Sequence, residues 1–127
     1  MQYTELHHPI VLPRARIENL IWEFSKDIEI YDYGLTVEPD TFEFQPTGCQ
    51  LHLPYTVCYA LAVATQAGAR MINLVGFDGY NAGDPRQKEM NNLFRLYEKN
   101  EKSLQITSLT PSSYNLDRGS IYSPVIK

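Results

Sequence analysis

The segment INLVGFDGY, residues 72–80, ends an apolar run with an acid and an aromatic residue set among glycines. Glycine permits tight backbone turns and lets the chain approach a ligand closely. The carboxylate of Asp78 could accept hydrogen bonds from sugar or ribose hydroxyls, and the ring of Tyr80 could stack on a ligand or bond to it. The alternative is structural, with Asp78 capping a local turn and Tyr80 packing. Both interpretations stay open on the residue types alone.

Two other segments carry acids, rings and hydroxyls. Asp32 lies between Tyr31 and Tyr33 and could bind a hydroxyl or a cation. Its alternative is an edge-strand acid with two half-buried rings. The segment TPSSY, which includes Thr110 and Ser112, could bond a phosphate or a sugar. Its alternative is a proline turn whose serines bond their own backbone.

The remaining polar candidates have stronger structural alternatives. Asp84 and Arg86 stand at a predicted helix start, where unpaired N–H groups favour an anion, but Asp84 also suits a plain N-cap. The histidines form no metal-ligand pattern. His52 could act as a base, although a surface histidine is the alternative. The chain has no glycine-rich loop of the kinds that bind phosphate chains or dinucleotides.

The elements that would position these residues alternate between strand and helix. Strands are predicted in the segments PIVLPRA, IEIYDYGLTV with a break at Gly34, TFEFQ, MINLVGF and LQITSL. Because MINLVGF is apolar almost throughout, we predict a central parallel strand covered on both faces.

Three helices are predicted between these strands. The apolar face of the first is formed by Ile17, Leu20, Ile21 and Phe24. The second begins near Pro54 and ends at Gly68, which can adopt the left-handed cap conformation. The third follows Asp84 and Pro85, which suit the N-cap and the first helical position.

This order predicts an α/β fold: a Rossmann-like three-layer sandwich with a mostly parallel sheet, forming a single domain over residues 1–127 with residues 1–8 as an arm. In open sheets of this kind ligands bind beyond the carboxyl ends of the strands. Three predicted strand ends carry the segments 31–33, 76–80 and 110–114. We therefore expect these segments to form one site.

The composition limits the classes of partner. The 127 residues are 43% hydrophobic and carry a net charge of −4 without a basic stripe, so a nucleic-acid partner is not expected. No apolar stretch approaches the roughly 18 residues of a membrane helix. With no leader sequence, we expect a cytoplasmic protein whose Cys49 and Cys58 are reduced.

Residues 54–80, with YALAVATQAGARMINLVGFDGY at their centre, resemble the core of bacterial sialyltransferases of the Campylobacter type. In that family this region helps to hold a cytidine-monophosphate sugar. The resemblance implies that Thr56 lies near the nucleotide and Tyr80 near the phosphate. The family's catalytic histidine lies in an insertion, and the corresponding residues 81–104 contain no histidine here.

A second resemblance covers nearly the whole chain. GFDGYNAGDPRQKEMNNLFRLYEK, followed by SLTPSSYNLDRGSIY, resembles the carboxy-terminal domain of aldolase-like proteins encoded with bacterial surface-polysaccharide genes. In those proteins a barrel of the hydroxymethylglutaryl-lyase and oxovalerate-aldolase type precedes this domain. The resemblance implies that the barrel holds the metal and performs the carbon–carbon chemistry as a lyase.

Together these observations predict an accessory domain that binds a nucleotide, a nucleotide-sugar or an acidic sugar at the strand ends, without a catalytic residue, a metal or a cofactor of its own. The expected ligand-binding residues are Asp78, Tyr80, Thr56, Asp32, Thr110 and Ser112. One alternative is a domain that docks on the barrel or forms a homodimer. Another is a sialyltransferase-like glycosyltransferase with His52 as its base.

Overall fold

The computed structural model of the chain describes residues 8–21 and 28–122, except for the side chains of residues 18–21. Its strands are β1 (Ile10–Leu12), β2 (Ile30–Asp32), β3 (Gly34–Val37), β4 (Phe42–Gln45), β5 (Gly48–Leu51), β6 (Ile72–Leu74), β7 (Ile106–Ser108) and β8 (Asp117–Arg118). Its helices are α1 (Arg14–Ile21), α2 (Thr56–Gln66) and α3 (Pro85–Glu98). Most of the predicted arm, Phe24 and the side chains of Leu20 and Ile21 lie outside the described residues.

The described strands form three small sheets rather than one. β1 pairs with β2, β5 lies between β3 and β4, and β7 lies between β6 and β8. Four of the five pairings are parallel, and only β4–β5 is antiparallel. The mixed α/β class is thus confirmed, while a single sheet within a three-layer sandwich is not. Strand β5 has no counterpart among the predicted strands.

The extended chain changes sheets at the predicted break. The N–H of Tyr33 donates to the Leu12 carbonyl at 3.1 Å, whereas the N–H of Gly34 donates to the Thr47 carbonyl at 3.0 Å. The strands also approach closely here, since a Cβ at Gly48 would lie 2.9 Å from the carbonyl oxygen of Gly34. Glycine is therefore required where β3 meets β5.

The core lies where β4 and β5 meet α2 and α3. The alternation of TFEFQ buries Phe42 and Phe44 and exposes the residues between and after them. The rings of Phe42 and Tyr97 pack edge to face with centroids 5.2 Å apart. The buried residues of α3 are Met90, Leu93, Phe94 and Tyr97, the face that its spacing predicts. Burying each large apolar side chain contributes about 1.5–3 kcal/mol, so this layer supplies much of the stability.

The segment MINLVGF forms a parallel strand, as predicted, but the predicted central position and the cover on both faces are wrong. Strand β6 covers only Ile72–Leu74, and its middle residue, Asn73, is exposed. Val75 is 58% exposed. Within the part of the chain that the structure describes, β6 pairs with β7 alone and so forms a sheet edge. An apolar run does not by itself reveal which faces are covered, because that depends on distant segments.

The end of α2 and the start of α3, which flank β6, lie where the local sequence predicts them. Gly68, at φ 93°, ends α2 by donating its N–H to the Thr65 carbonyl. Asp84 caps α3 by accepting the N–H of Arg86 at 2.9 Å. The helices in the described ranges all fall short of the length and apolarity needed to cross a membrane.

Candidate functional site

A cleft of about 720 Å³ lies where the exit of β6 meets the starts of α2 and α3. We call it the strand-end cleft. It is lined by residues 54–57, residues 76–80, Arg86, Glu89 and Met90 of α3, and Tyr114. The segment GFDGY, residues 76–80, which we call the lip, therefore forms one wall of an open concavity of ligand size.

Three of the six predicted ligand-binding residues come together in this cleft: Thr56, Asp78 and Tyr80. Thr56 is the first residue of α2, and no described side chain caps this helix, because the N-cap position holds Tyr55. The first-turn N–H groups of a helix have no partner within it, and the dipole there favours negative charge. The cleft thus combines a helix start with a carboxylate and a phenol.

The other three predicted residues accept hydrogen bonds from backbone N–H groups of the domain. The hydroxyl of Thr110 accepts the N–H of Gly76 at 2.9 Å and so fixes the first residue of the lip. Ser112 is buried, and its hydroxyl accepts the N–H of Tyr114 at 3.2 Å, as in the turn alternative. Asp32 accepts the N–H of Arg14 at 2.9 Å, at the start of α1. It is not among the described residues that line the cleft, so β2 does not join β6 and β7 there.

The lip is fixed by the loop that follows β7. The N–H of Ser113 donates to the carbonyl of Asp78 at 2.7 Å, and the Ser113 hydroxyl donates to the same carbonyl at 3.0 Å. Gly79 directly follows Asp78 and has φ 95°. A Cβ at Gly79 would be 2.0 Å from the Oγ of Ser113. Glycine at this position is therefore a requirement of the contact between the two loops.

One edge of the cleft is an ion pair that is stacked on a ring. The guanidinium carbon of Arg86 lies 4.2 Å from the centroid of the Tyr80 ring. Its Nη2 lies 2.6 Å from Oδ2 of Asp84, and its Nε lies 3.0 Å from Oδ1. Hydrogen bonds from the Arg86 side chain, followed by the bond from its N–H, lower the pKa of Asp84 to about 2. Arg86 is thus held in place and largely neutralised.

Helix α3 also contributes a carboxylate to the cleft, that of Glu89. The hydroxyl of Tyr55 donates to Oε1 of Glu89, and this bond raises the pKa of Tyr55. Arg86, Glu89 and Met90 share one face of α3 because they are spaced three and four residues apart. Tyr55 and Glu89 were not among the residues predicted from the sequence. For Glu89, the i, i+3, i+4 spacing at the start of the helix after the lip was the available signal.

The described lining of the cleft offers hydroxyls, carboxylates and one guanidinium, all of which can bind a polar ligand. His52, the base that the transferase alternative needs, accepts the N–H of Asp40 at Nδ1 over 2.7 Å and is not part of that lining. Among the described residues, no group of three or more His, Cys, Asp and Glu side chains could hold a metal ion.

Comparisons with protein-family models, with curated proteins and with solved structures found no match to this chain. A functional proposal therefore depends on the geometry of the cleft and on the residues that form it.

Proposed function

We propose that the domain binds a nucleotide, a nucleotide-sugar or an acidic sugar in the strand-end cleft. The supporting observation is that Thr56, from the start of α2, shares the cleft with Asp78 and Tyr80, from the exit of β6. Thr56 precedes the other two residues by more than 20 positions in the chain. A cleft of about 720 Å³ with convergent polar groups has the size and character of a small-molecule site.

Each wall of the cleft has a role in this proposal. Asp78 accepts hydrogen bonds from ligand hydroxyls, and Tyr80 stacks on the ligand or bonds to its phosphate. Thr56 and the start of α2 receive an anionic group of the ligand. Thr110 contributes indirectly, because its bond to Gly76 shapes the lip.

The proposed setting is an accessory domain that accompanies an aldolase barrel in a bacterial cytoplasmic enzyme of surface-sugar biosynthesis. The resemblance of GFDGYNAGDPRQKEMNNLFRLYEK and SLTPSSYNLDRGSIY to such domains supports this setting. A Rossmann-like three-layer arrangement belongs to the same proposal, and the predominance of parallel pairings is consistent with it.

The test is a thermal-shift and calorimetry screen against cytidine and uridine nucleotides, their sugar derivatives and acidic sugars. A ligand at 100 times its Kd should stabilise the fold by about 2.7 kcal/mol. Asp78→Ala and Tyr80→Phe should each weaken binding about tenfold, since each removes a hydrogen bond to a charged or polar ligand group.

Matched control variants are Glu101→Ala and Tyr122→Phe, which alter an exposed acid and a tyrosine that is 92% exposed, both outside the cleft lining. They should bind as the wild type does. The proposal fails if none of the probes binds, or if the cleft variants and the control variants bind equally well.

A specific surface favours a second candidate, docking on the barrel domain or on another copy of the chain. An almost wholly apolar groove of about 490 Å³ runs between α2 and β6. It is lined by Thr56, Val57, Ala60, Leu61, Ala64, Ile72, Leu74 and Phe77. An apolar groove beside an edge strand is typical of surfaces that another polypeptide covers.

Sedimentation velocity over a range of concentrations would test self-association through this α2–β6 groove. Ala60 is exposed on α2, so Ala60→Glu should leave the fold intact and place a charge in the groove. If docking between copies is correct, the wild type should associate and the variant should remain monomeric while ligand binding in the cleft is unchanged. A wild type that stays monomeric throughout would eliminate the homodimer version.

A further inference from the structure

We infer that the strand-end cleft selects a hydroxyl-rich ligand with one anionic group and discriminates against ligands that carry a pyrophosphate or a longer phosphate chain. This inference rests on the proposed function, because it specifies the charge of the ligand that the cleft takes. It follows from the balance of charged side chains around the cleft.

Carboxylates outnumber cations at this site. Asp78 and Glu89 line the cleft, and Asp84 is bonded to the one lining cation that the structure describes, Arg86. Three negative charges and one positive charge give a formal local charge of −2. A site for a nucleoside diphosphate or triphosphate ordinarily needs the opposite sign, supplied by lysine, arginine or a divalent cation.

Arg86 cannot supply an unpaired charge to a phosphate chain without losing its partner. Two of its guanidinium nitrogens contact Asp84, at 2.6 and 3.0 Å, while its plane covers the ring of Tyr80. An anion drawn to Arg86 would also meet the carboxylate of Asp84. Arg86 therefore stiffens the position of Tyr80 more than it attracts negative charge.

The positive field at the start of α2 is limited. The positive end of a helix dipole is equivalent to about half an elementary charge, and Thr56 adds a hydroxyl donor there. A volume of about 720 Å³ is roughly 10 Å across, so a second phosphoryl group held inside the cleft lies within one Debye length, about 30 Å at 0.01 M ionic strength, of both lining carboxylates. Repulsion then grows with every phosphate added.

The groups that repel extra phosphates are good partners for sugar hydroxyls. Carboxylates accept hydrogen bonds from hydroxyls, and phenols both donate and accept. Asp78 and Glu89 are accompanied in the cleft by the phenols of Tyr55, Tyr80 and Tyr114. One arrangement of side chains thus accounts for both the preference for hydroxyls and the limit on negative charge.

The test is calorimetric titration with cytidine mono-, di- and triphosphate and, in parallel, with the three uridine nucleotides, so that only the number of phosphates varies within a series. A chelator excludes divalent cations that would mask phosphate charge. At about 0.01 M ionic strength we expect the affinity to fall about fivefold for each added phosphate. Near 1 M salt, where the Debye length is about 3 Å, the fall should almost vanish.

Neutralising variants identify the responsible charges. Asp78→Asn and Glu89→Gln should each raise triphosphate affinity relative to monophosphate affinity, and Glu101→Gln should leave that ratio unchanged. Equal or tighter binding of the triphosphates, or a ratio that neither variant moves, would overturn the inference while leaving the proposed function in place. If neither series binds and acidic sugars fail as well, the proposed function is overturned and the inference falls with it.

Discussion

The side-chain carbonyl of Gln87 accepts the backbone N–H of Tyr80 at 2.8 Å. The amide nitrogen of the same side chain donates to the carbonyl of Ser113, also at 2.8 Å. A single residue in the first turn of α3 thus joins the exit of β6 to the loop after β7. It sets the backbone position of the aromatic residue that borders the strand-end cleft.

We expect Gln87→Ala to release the lip from α3. Loss of the acceptor leaves the exposed Tyr80 N–H to water, which costs about 0.5–1.5 kcal/mol of local stability. Hydrogen exchange measured by NMR should show reduced protection of the Tyr80 amide. Gln87→Glu keeps the acceptor and loses the donor, so it should preserve most of that protection, and Lys88→Ala on the exposed face should preserve all of it. Unchanged protection in Gln87→Ala would refute this role.

Gly79→Ala should disrupt the lip more severely. The new Cβ would lie 2.0 Å from Oγ of Ser113, and φ at this position is 95°. The Ser113 hydroxyl bonds to the carbonyl of Asp78, so it cannot move away without losing that bond. We expect at least about 2 kcal/mol of destabilisation in urea unfolding, together with loss of ligand binding.

The matched control is Gly83→Ala. A Cβ at Gly83 would meet nothing within 4 Å, and its φ lies outside the left-handed region. This change should be neutral or slightly stabilising, because alanine restricts the unfolded chain. Similar unfolding curves for the two variants would show that the lip adapts to a side chain and that the contact between loops is not needed.

The Asp84–Arg86 pair should give the fold a dependence on acid pH. The native pKa of Asp84 is lowered from 3.8 to about 2, chiefly by hydrogen bonds from Arg86. The unfolded chain therefore binds more protons between these values, so the stabilisation is present above about 3.8 and is lost as the pH falls toward 2. Asp84→Asn keeps a good N-cap but removes the charge.

Urea unfolding of wild type and Asp84→Asn over this pH range tests that effect. The stability difference should be largest near neutral pH and should close as the pH falls through the interval. Glu101→Gln removes an exposed carboxylate after α3, and its free energy of unfolding should follow the same dependence on pH as that of the wild type. A difference between wild type and Asp84→Asn that is independent of pH would show that the charge pair contributes nothing to stability.

The elements that the sequence predicts well are those with local causes. Helix α3 begins after Asp84 because that side chain caps the first turn, and it buries the i, i+3, i+4 face. Helix α2 ends just before Gly68 because this glycine has a positive φ. By contrast, the edge position of β6 depends on which distant strands pair with it, and a pattern in one segment does not contain that information. Strand β5 was missed although it follows β4 through a two-residue turn.

The site divides in the same way. The two glycines of GFDGY have positive φ, which is a local requirement that glycine meets. Their presence in the sequence therefore indicated a tight turn at Asp78 and Tyr80. Asp32 and Ser112 have the same functional groups but use them to bond nearby N–H groups. The sequence does not distinguish a carboxylate or hydroxyl that caps a turn from one that faces a ligand. The packing of distant segments decides which of these roles the group has.

Tyr97→Phe should destabilise the core although it removes one oxygen atom. The side chain is fully buried, and its hydroxyl accepts the N–H of Leu104 at 2.8 Å and contacts Oγ1 of Thr65 at 2.7 Å. Without it, the N–H of Leu104 loses its partner, and we expect a loss of about 1–3 kcal/mol in urea unfolding. Tyr122→Phe is the exposed counterpart and should be neutral. Equal midpoints for the two variants would refute the role of the Tyr97 hydroxyl.

The two cysteines should report on the integrity of this core. Cys49 and Cys58 are free thiols, 2% and 1% exposed, and burial raises their pKa values to about 11 and about 12. Because only the thiolate reacts, labelling by iodoacetamide near pH 8 should be at least about 100-fold slower in the native protein than in urea. Glu101→Cys provides an exposed reference thiol in the same molecule. If mass spectrometry shows that Cys49 or Cys58 is labelled as fast as this reference, the packing of β5 against α2 is wrong.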